Sequence, residues 1–118
     1  MTPREIAEKI VKALDEKKGM DICLIATAQV TVVADYFVIV NGTSNTHVKS
    51  LADEVEYVLS LEGHNATHVE GKATGWILLD YDSVVVHVFT KEAREYYNLE
   101  KLWADGEQID ISSLVTAD

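Results

Sequence analysis

Asp80-Tyr81-Asp82 is the stretch of this chain whose spacing most resembles reactive chemistry. Two carboxylates one residue apart imitate the D-x-D pair with which nucleotide-transferring enzymes hold magnesium, and Gly42-Thr43-Ser44 imitates their phosphate-holding loop. Magnesium needs oxygen ligands that converge, with the phosphates, in octahedral geometry. In such enzymes the acids follow the loop's helix almost at once. Here an entire extra strand intervenes, and Asp80 and Asp82 fall at a hairpin end, where acids are commonplace. A residual metal-dependent transferase is therefore the second reading, not the first. The Gly42-Thr43-Ser44 turn opens a helix, which capping by Ser44 explains without an anion. His64 and His68 fall at H-x-x-x-H spacing but flank a turn, and with a single cysteine there is no C-x-x-C pair to add the third and fourth ligands, so no metal centre is expected. His87, inside an apolar run, reads as a hydrogen-bonded core residue, and Cys23 as a small buried hydrophobe. No catalytic residue and no cofactor is expected.

The elements that must position these residues centre on Gly75 to Phe89. Two apolar runs, Trp76 to Leu79 and Val84 to Phe89, flank the polar pair Asp82-Ser83 and read as a β-hairpin. Side chains alternate across a strand. Ile77, Leu79 and Tyr81 therefore share one face, and Trp76, Leu78 and Asp80 the other. Val84, Val86 and Val88 likewise oppose Val85, His87 and Phe89. Nearly continuous apolar character implies a central hairpin covered on both faces. Trp76 begins its strand on the face that few helices are left to cover, so it is read as a contact residue; Trp103 is read as core.

Around the hairpin the chain is legible in order. Thr2-Pro3-Arg4-Glu5 supplies a capping threonine, a proline at the first helical position and a glutamate three residues after the cap. Ile6, Ile10, Val11 and Leu14 recur at helical spacing, and Gly19 is the expected stop. Strands are expected over Asp21 to Ala26 and Tyr36 to Val40, with Thr27 to Ala34 a loop or short turn. Asn41 to Asn45 turns the chain into a second helix with the stripe Val48, Leu51, Ala52, Val55, Val58 and Leu59, closed by Gly63. A brief strand, Thr67 to Glu70, and the 71–75 loop precede the hairpin. Thr90 caps a short helix over Lys91 to Tyr97, and Leu99 and Leu102 suggest one more turn. The Tyr36 strand, its helix and the His68–Glu70 strand form a right-handed crossover. This order predicts an α/β fold with a mixed sheet of about five strands. It is read as one domain over 1–104 and an acidic C-terminal tail over 105–118. The tail is either loose or docked through Ile109, Ile111 and Leu114.

Composition narrows the function. At 118 residues the chain can bury a core without disulfides or metals. Twenty acidic against ten basic residues give a formal charge of −10, a field that repels phosphate and suits a basic protein partner. Direct nucleic-acid binding is not expected as the main contact. One cysteine fits a reducing compartment, and no apolar stretch is long enough to span a membrane. A cytoplasmic protein is expected.

Three groups of residues carry a resemblance. Asp35-Tyr36-Phe37-Val38-Ile39 with Gly42-Thr43-Ser44-Asn45 and His47-Val48 resembles the first signature of the ribosomal silencing factor family, also called the Iojap family. Glu70-Gly71, Trp76-Ile77, Leu79-Asp80 and Val86 to Phe89 resemble its second. Arg94 to Tyr97, Leu99-Glu100 and Leu102-Trp103 resemble its third. The resemblance implies a nucleotidyltransferase-like fold without its chemistry. It also implies binding to the large ribosomal subunit through a basic protein of the intersubunit face, its universal protein fourteen. Joining of the small subunit would be blocked sterically and translation repressed when nutrients run short. Members usually carry glycine then aspartate in the hairpin turn, where this chain has Asp82-Ser83. Asp tolerates the left-handed region better than most residues, so the turn is expected to survive. On this basis Glu70, Trp76, Leu78, Asp80 and Tyr81 are the expected partner-binding residues. An acidic adaptor for another basic protein is a third reading, and whether the free protein is a homodimer stays open.

Overall fold

The computed structural model describes residues 1–28, 34–71, 75–102 and 106–115. Trp103, most of the 27–34 stretch and the middle of the 71–75 loop thus lie outside the described residues. The elements are α1 (Pro3–Glu16), β1 (Met20–Ala26), β2 (Tyr36–Gly42), α2 (Asn45–Leu61), β3 (His68–Glu70), β4 (Trp76–Asp80), β5 (Val84–Thr90), α3 (Lys91–Tyr97), α4 (Leu99–Leu102) and β6 (Glu107–Ile109).

Helix α1 starts as its sequence dictates. The Thr2 hydroxyl accepts the Glu5 N–H at 3.1 Å, and the Glu5 carboxylate accepts the Thr2 N–H at 2.9 Å. Its stop differs from expectation. Lys18, not Gly19, takes the left-handed conformation, with φ 62°. Its N–H reaches the Asp15 carbonyl while that of Gly19 reaches Leu14, a Schellman closure. Gly19 is needed for space instead, because a Cβ there would lie 2.8 Å from Val40 Cγ2 and 3.0 Å from the Leu14 carbonyl oxygen. At the end of α2 the expectation holds: Gly63 itself is left-handed at φ 79°, with the same paired closure.

The sheet has six strands in the order β3-β4-β5-β2-β1-β6, against the expected five or so. Among the described residues only β2 and β5 pair in parallel, Tyr36 opposite Val84 through Gly42 opposite Thr90, and the other pairings are antiparallel. The crossover through α2 therefore passes over β5 and β4 to deliver β3 at the far edge. The sixth strand comes from the acidic tail, where Glu107, Gln108 and Ile109 pair with Ala26, Ile25 and Leu24. Ile109, Ile111, Leu114 and Val115 pack against the main core.

That core lies between one sheet face and helices α1 and α2. Ile6, Ile10, Val11 and Leu14 of α1, and Val48, Leu51, Val55 and Leu59 of α2, meet Val38, Val40, Ile77, Leu79, Val84, Val86 and Val88. Full burial of such side chains contributes about 2 kcal/mol each in transfer free energy, as an upper estimate. The opposite face carries a smaller cluster of Ile25, Phe37, Ile39, Val85, Phe89 and Leu99, with Cys23, Trp76, Leu78 and Ala93 packed against it. Strand β5 is buried along both faces, as its sequence implies, but β4 is not: Ile77 and Leu79 are buried, whereas Trp76, Leu78 and Asp80 are half-buried. Cys23, read as buried, is also only half-buried.

Candidate partner-binding face

Strand alternation and register build the candidate site. On β4, Trp76, Leu78 and Asp80 point away from α1 and α2. Glu70 of β3 sits opposite Leu78, and His68 sits opposite Asp80. Directly opposite residues of an antiparallel pair share a face. Four of the five expected contact residues, Glu70, Trp76, Leu78 and Asp80, are thus on one side of two neighbouring strands. Glu70 is exposed and its carboxylate lies 2.6 Å from His68 Nε2.

The structure separates Tyr81 from the other four. Its ring belongs to the core beneath α2, and it is 8% exposed. Burial, with the negative charge of Glu56 adding to it, pushes its phenol up to about 12, so it stays neutral.

Among the described residues, Phe89, Tyr97 and His87 hold Trp76. Phe89 lies opposite it on β5, with ring centroids 5.1 Å apart. Tyr97 of α3 packs on it at 4.5 Å. Its indole Nε1–H donates to His87 Nδ1 at 3.2 Å. His87 is the core histidine expected from its apolar run, 5% exposed, and burial lowers its pKa to about 4. Tyr97 is 45% exposed and Tyr96, edge-on to it at 5.1 Å, is 82% exposed. These two tyrosines extend the aromatic surface from β4 onto α3. Sequence reasoning gave them no role, although two adjacent aromatics in so short a helix were the available signal.

Helix α3 is fixed over this face by its ends and by Arg94. Thr90 Oγ1 accepts the Ala93 N–H at 3.2 Å, and Asn98 closes the helix in the left-handed region at φ 48°. The Arg94 guanidinium donates to the Asp21 carbonyl at 2.6 Å and to Asn41 Oδ1 at 2.9 Å. Asp21, at φ 52°, lies where β1 slips register against β2, and Arg94 thus satisfies a carbonyl of that bulge.

The groups that imitated a nucleotide site are engaged locally. Asp80 Oδ1 accepts the Asp82 N–H at 2.8 Å, and Asp82 takes φ 65°, so the turn survives without glycine. The Thr43 N–H donates to His47 Nδ1 at 2.9 Å, and Ser44 Oγ caps α2 by accepting the His47 N–H. His47 Nε2 lies 2.8 Å from the Lys17 carbonyl, tying the start of α2 to the end of α1. Among the described residues, no three His, Cys, Asp or Glu side chains come together as a metal site.

The family described as ribosomal silencing factor during starvation matches residues 1–118. The chain belongs to the ribosomal silencing factor family. It is 34% identical over 117 residues to ribosomal silencing factor RsfS of Halalkalibacterium halodurans, covering 98% of this chain and 100% of that one. It is 38% identical to the Bacillus subtilis RsfS, covering 94% and 95% of the two chains. A crystal structure of a Chromobacterium violaceum protein superposes with a TM-score of 0.86 at 34% identity, covering 95% of this chain and 93% of that one. The ribosomal silencing factor fold is thus shared along nearly the whole chain. Among the described residues no helix is long and apolar enough to cross a membrane.

Proposed function

We propose that this chain represses translation by docking on the large ribosomal subunit, through a basic protein of the intersubunit face, its universal protein fourteen. Seated there, it blocks the small subunit from joining. The observation that carries the reading is the family match along residues 1–118. The face around Trp76 supports a protein as the partner. It offers an aromatic anchor and Leu78, bordered by Glu70 and Asp80, on a molecule of formal charge −10. Binding energy in such surfaces concentrates in a few buried aromatics, while rim charges steer the encounter. Docking of this kind needs no catalysis, and we infer a non-enzymatic protein acting in the cytoplasm.

Co-sedimentation tests the reading: the protein should pellet with isolated large subunits and not with small ones. Trp76→Ala should weaken that binding by roughly 2 kcal/mol or more, as loss of an anchor does. Glu70→Lys, at an exposed position, should slow association without unfolding the chain. If the folded Trp76→Ala protein bound large subunits like wild type, the docking face would be wrongly assigned. A magnesium-dependent nucleotide transfer abolished by replacing Asp80 and Asp82 with Asn would overturn the non-enzymatic reading.

A further inference from the structure

His87 occupies a site where a phenylalanine would be the cheaper residue. It is 5% exposed, edge-on to Phe37 at 5.1 Å and stacked with Phe89 at 6.2 Å. Its Nε2 is buried with no hydrogen-bond partner. The tautomer follows from the other nitrogen. Trp76 Nε1–H can only donate, so Nδ1 must be the bare acceptor and Nε2 must carry the proton. The fold thus keeps a buried, unsatisfied N–H, a costly feature that an all-carbon ring would avoid. What the imidazole gains in return is the single bond from Nδ1 to the indole. Register explains why the bond reaches Trp76: His87 lies directly opposite Leu78, and so diagonal to Trp76, whose direct partner is Phe89.

We propose that His87 is the positioning residue of the docking face, its Nδ1 fixing the rotation of the Trp76 indole so that the ring is presented to the partner in one orientation. Phe89 and Tyr97 limit where the ring can lie, and a directional bond to Nε1 adds the constraint on which way it faces. An anchor held in its bound rotamer loses less side-chain entropy on binding, which appears as affinity. The inference rests on the docking reading given above.

The test compares two substitutions that separate packing from the bond. His87→Phe keeps an aromatic ring and removes the acceptor. His87→Asn keeps an acceptor close to the Nδ1 position and leaves a gap in the packing. By packing alone Phe should be the more stable protein, which urea unfolding measures. For binding to large subunits the order should invert: His87→Phe binds roughly three- to tenfold more weakly than wild type, and His87→Asn recovers part of that loss. Binding that follows stability, or a His87→Phe protein that binds like wild type, overturns the proposal. Nitrogen-15 NMR on the free wild-type protein judges the bond without any variant or ribosome. It should find His87 protonated at Nε2 and the Trp76 indole N–H protected from exchange; an Nδ1-protonated ring overturns the proposal. If wild type fails to bind large subunits while the NMR result holds, the docking reading fails and the positioning of Trp76 stands as a property of the fold.

Discussion

At the scale of single residues, the ionisation of His87 is coupled to folding. Burial lowers its pKa to about 4, from an ordinary value of 6.5 in the unfolded chain. Between those values the unfolded chain takes up a proton that the folded one refuses. Stability from this group is therefore fully present above pH 6.5 and is lost as pH falls towards 4, flattening below. The gap corresponds to roughly 3 kcal/mol. Urea unfolding of wild type and His87→Phe across pH 7 to 4 should show the wild type losing that much more stability than the variant. Equal slopes would mean that His87 ionises freely in the folded state. Tyr81 makes a contrasting case on the other face: its phenol beneath α2 stays neutral across this range, so it adds no pH dependence.

At the scale of elements, chain ends and edges decide the behaviour. The α1 stop separates two jobs that one glycine is usually expected to do. Lys18 carries the left-handed turn and Gly19 the close approach to Val40. Lys18→Gly should therefore stabilise the protein, by about 0.5 kcal/mol, because glycine takes positive φ without the Cβ strain. Gly19→Ala, one residue on, should destabilise it by roughly 1–3 kcal/mol through overpacking. Thermal midpoints moving in opposite directions would verify the division; a loss in both would refute it. The β6 strand is the second case. Truncation after residue 104 removes the partner of Leu24, Ile25 and Ala26 and uncovers the packing site of Ile109, Ile111 and Leu114. The cost should be roughly 2 kcal/mol, and the freed β1 edge should promote self-association. Analytical ultracentrifugation with urea unfolding reads both effects.

At the scale of the whole molecule, the charge of −10 sets how the proposed encounter responds to salt. The Debye length falls from about 10 Å at 0.1 M to about 3 Å at 1 M. Association with large subunits should slow across that range, while dissociation changes much less, because the apolar contact around Trp76 is poorly screened. Rates measured across a salt series distinguish this from binding to ribosomal RNA phosphates, where equilibrium affinity would fall steeply through counterion release. A steep fall, with naked ribosomal RNA competing, would replace the protein partner with nucleic acid.

What the sequence determined by itself is whatever local spacing encodes. Capping chemistry placed the starts of α1, α2 and α3 because a cap and its partner are three residues apart. Alternation sorted Ile77 and Leu79 from Trp76 and Leu78 because a strand has a period of two. The same alternation put Tyr81 with Ile77 and Leu79, and the structure keeps it there, buried, although it had been grouped with the contact residues. The tertiary structure decided what depends on pairing between distant segments. Three residues of β6 are too short to carry a periodic signal, so only their register with β1 reveals a strand. The packing of Tyr97 on Trp76 requires α3 to fold back over β5, held by Arg94. The bond from Trp76 to His87 depends on a hairpin register that no single strand contains. Local spacing says which side chains share a face; only the assembled sheet says which of them touch.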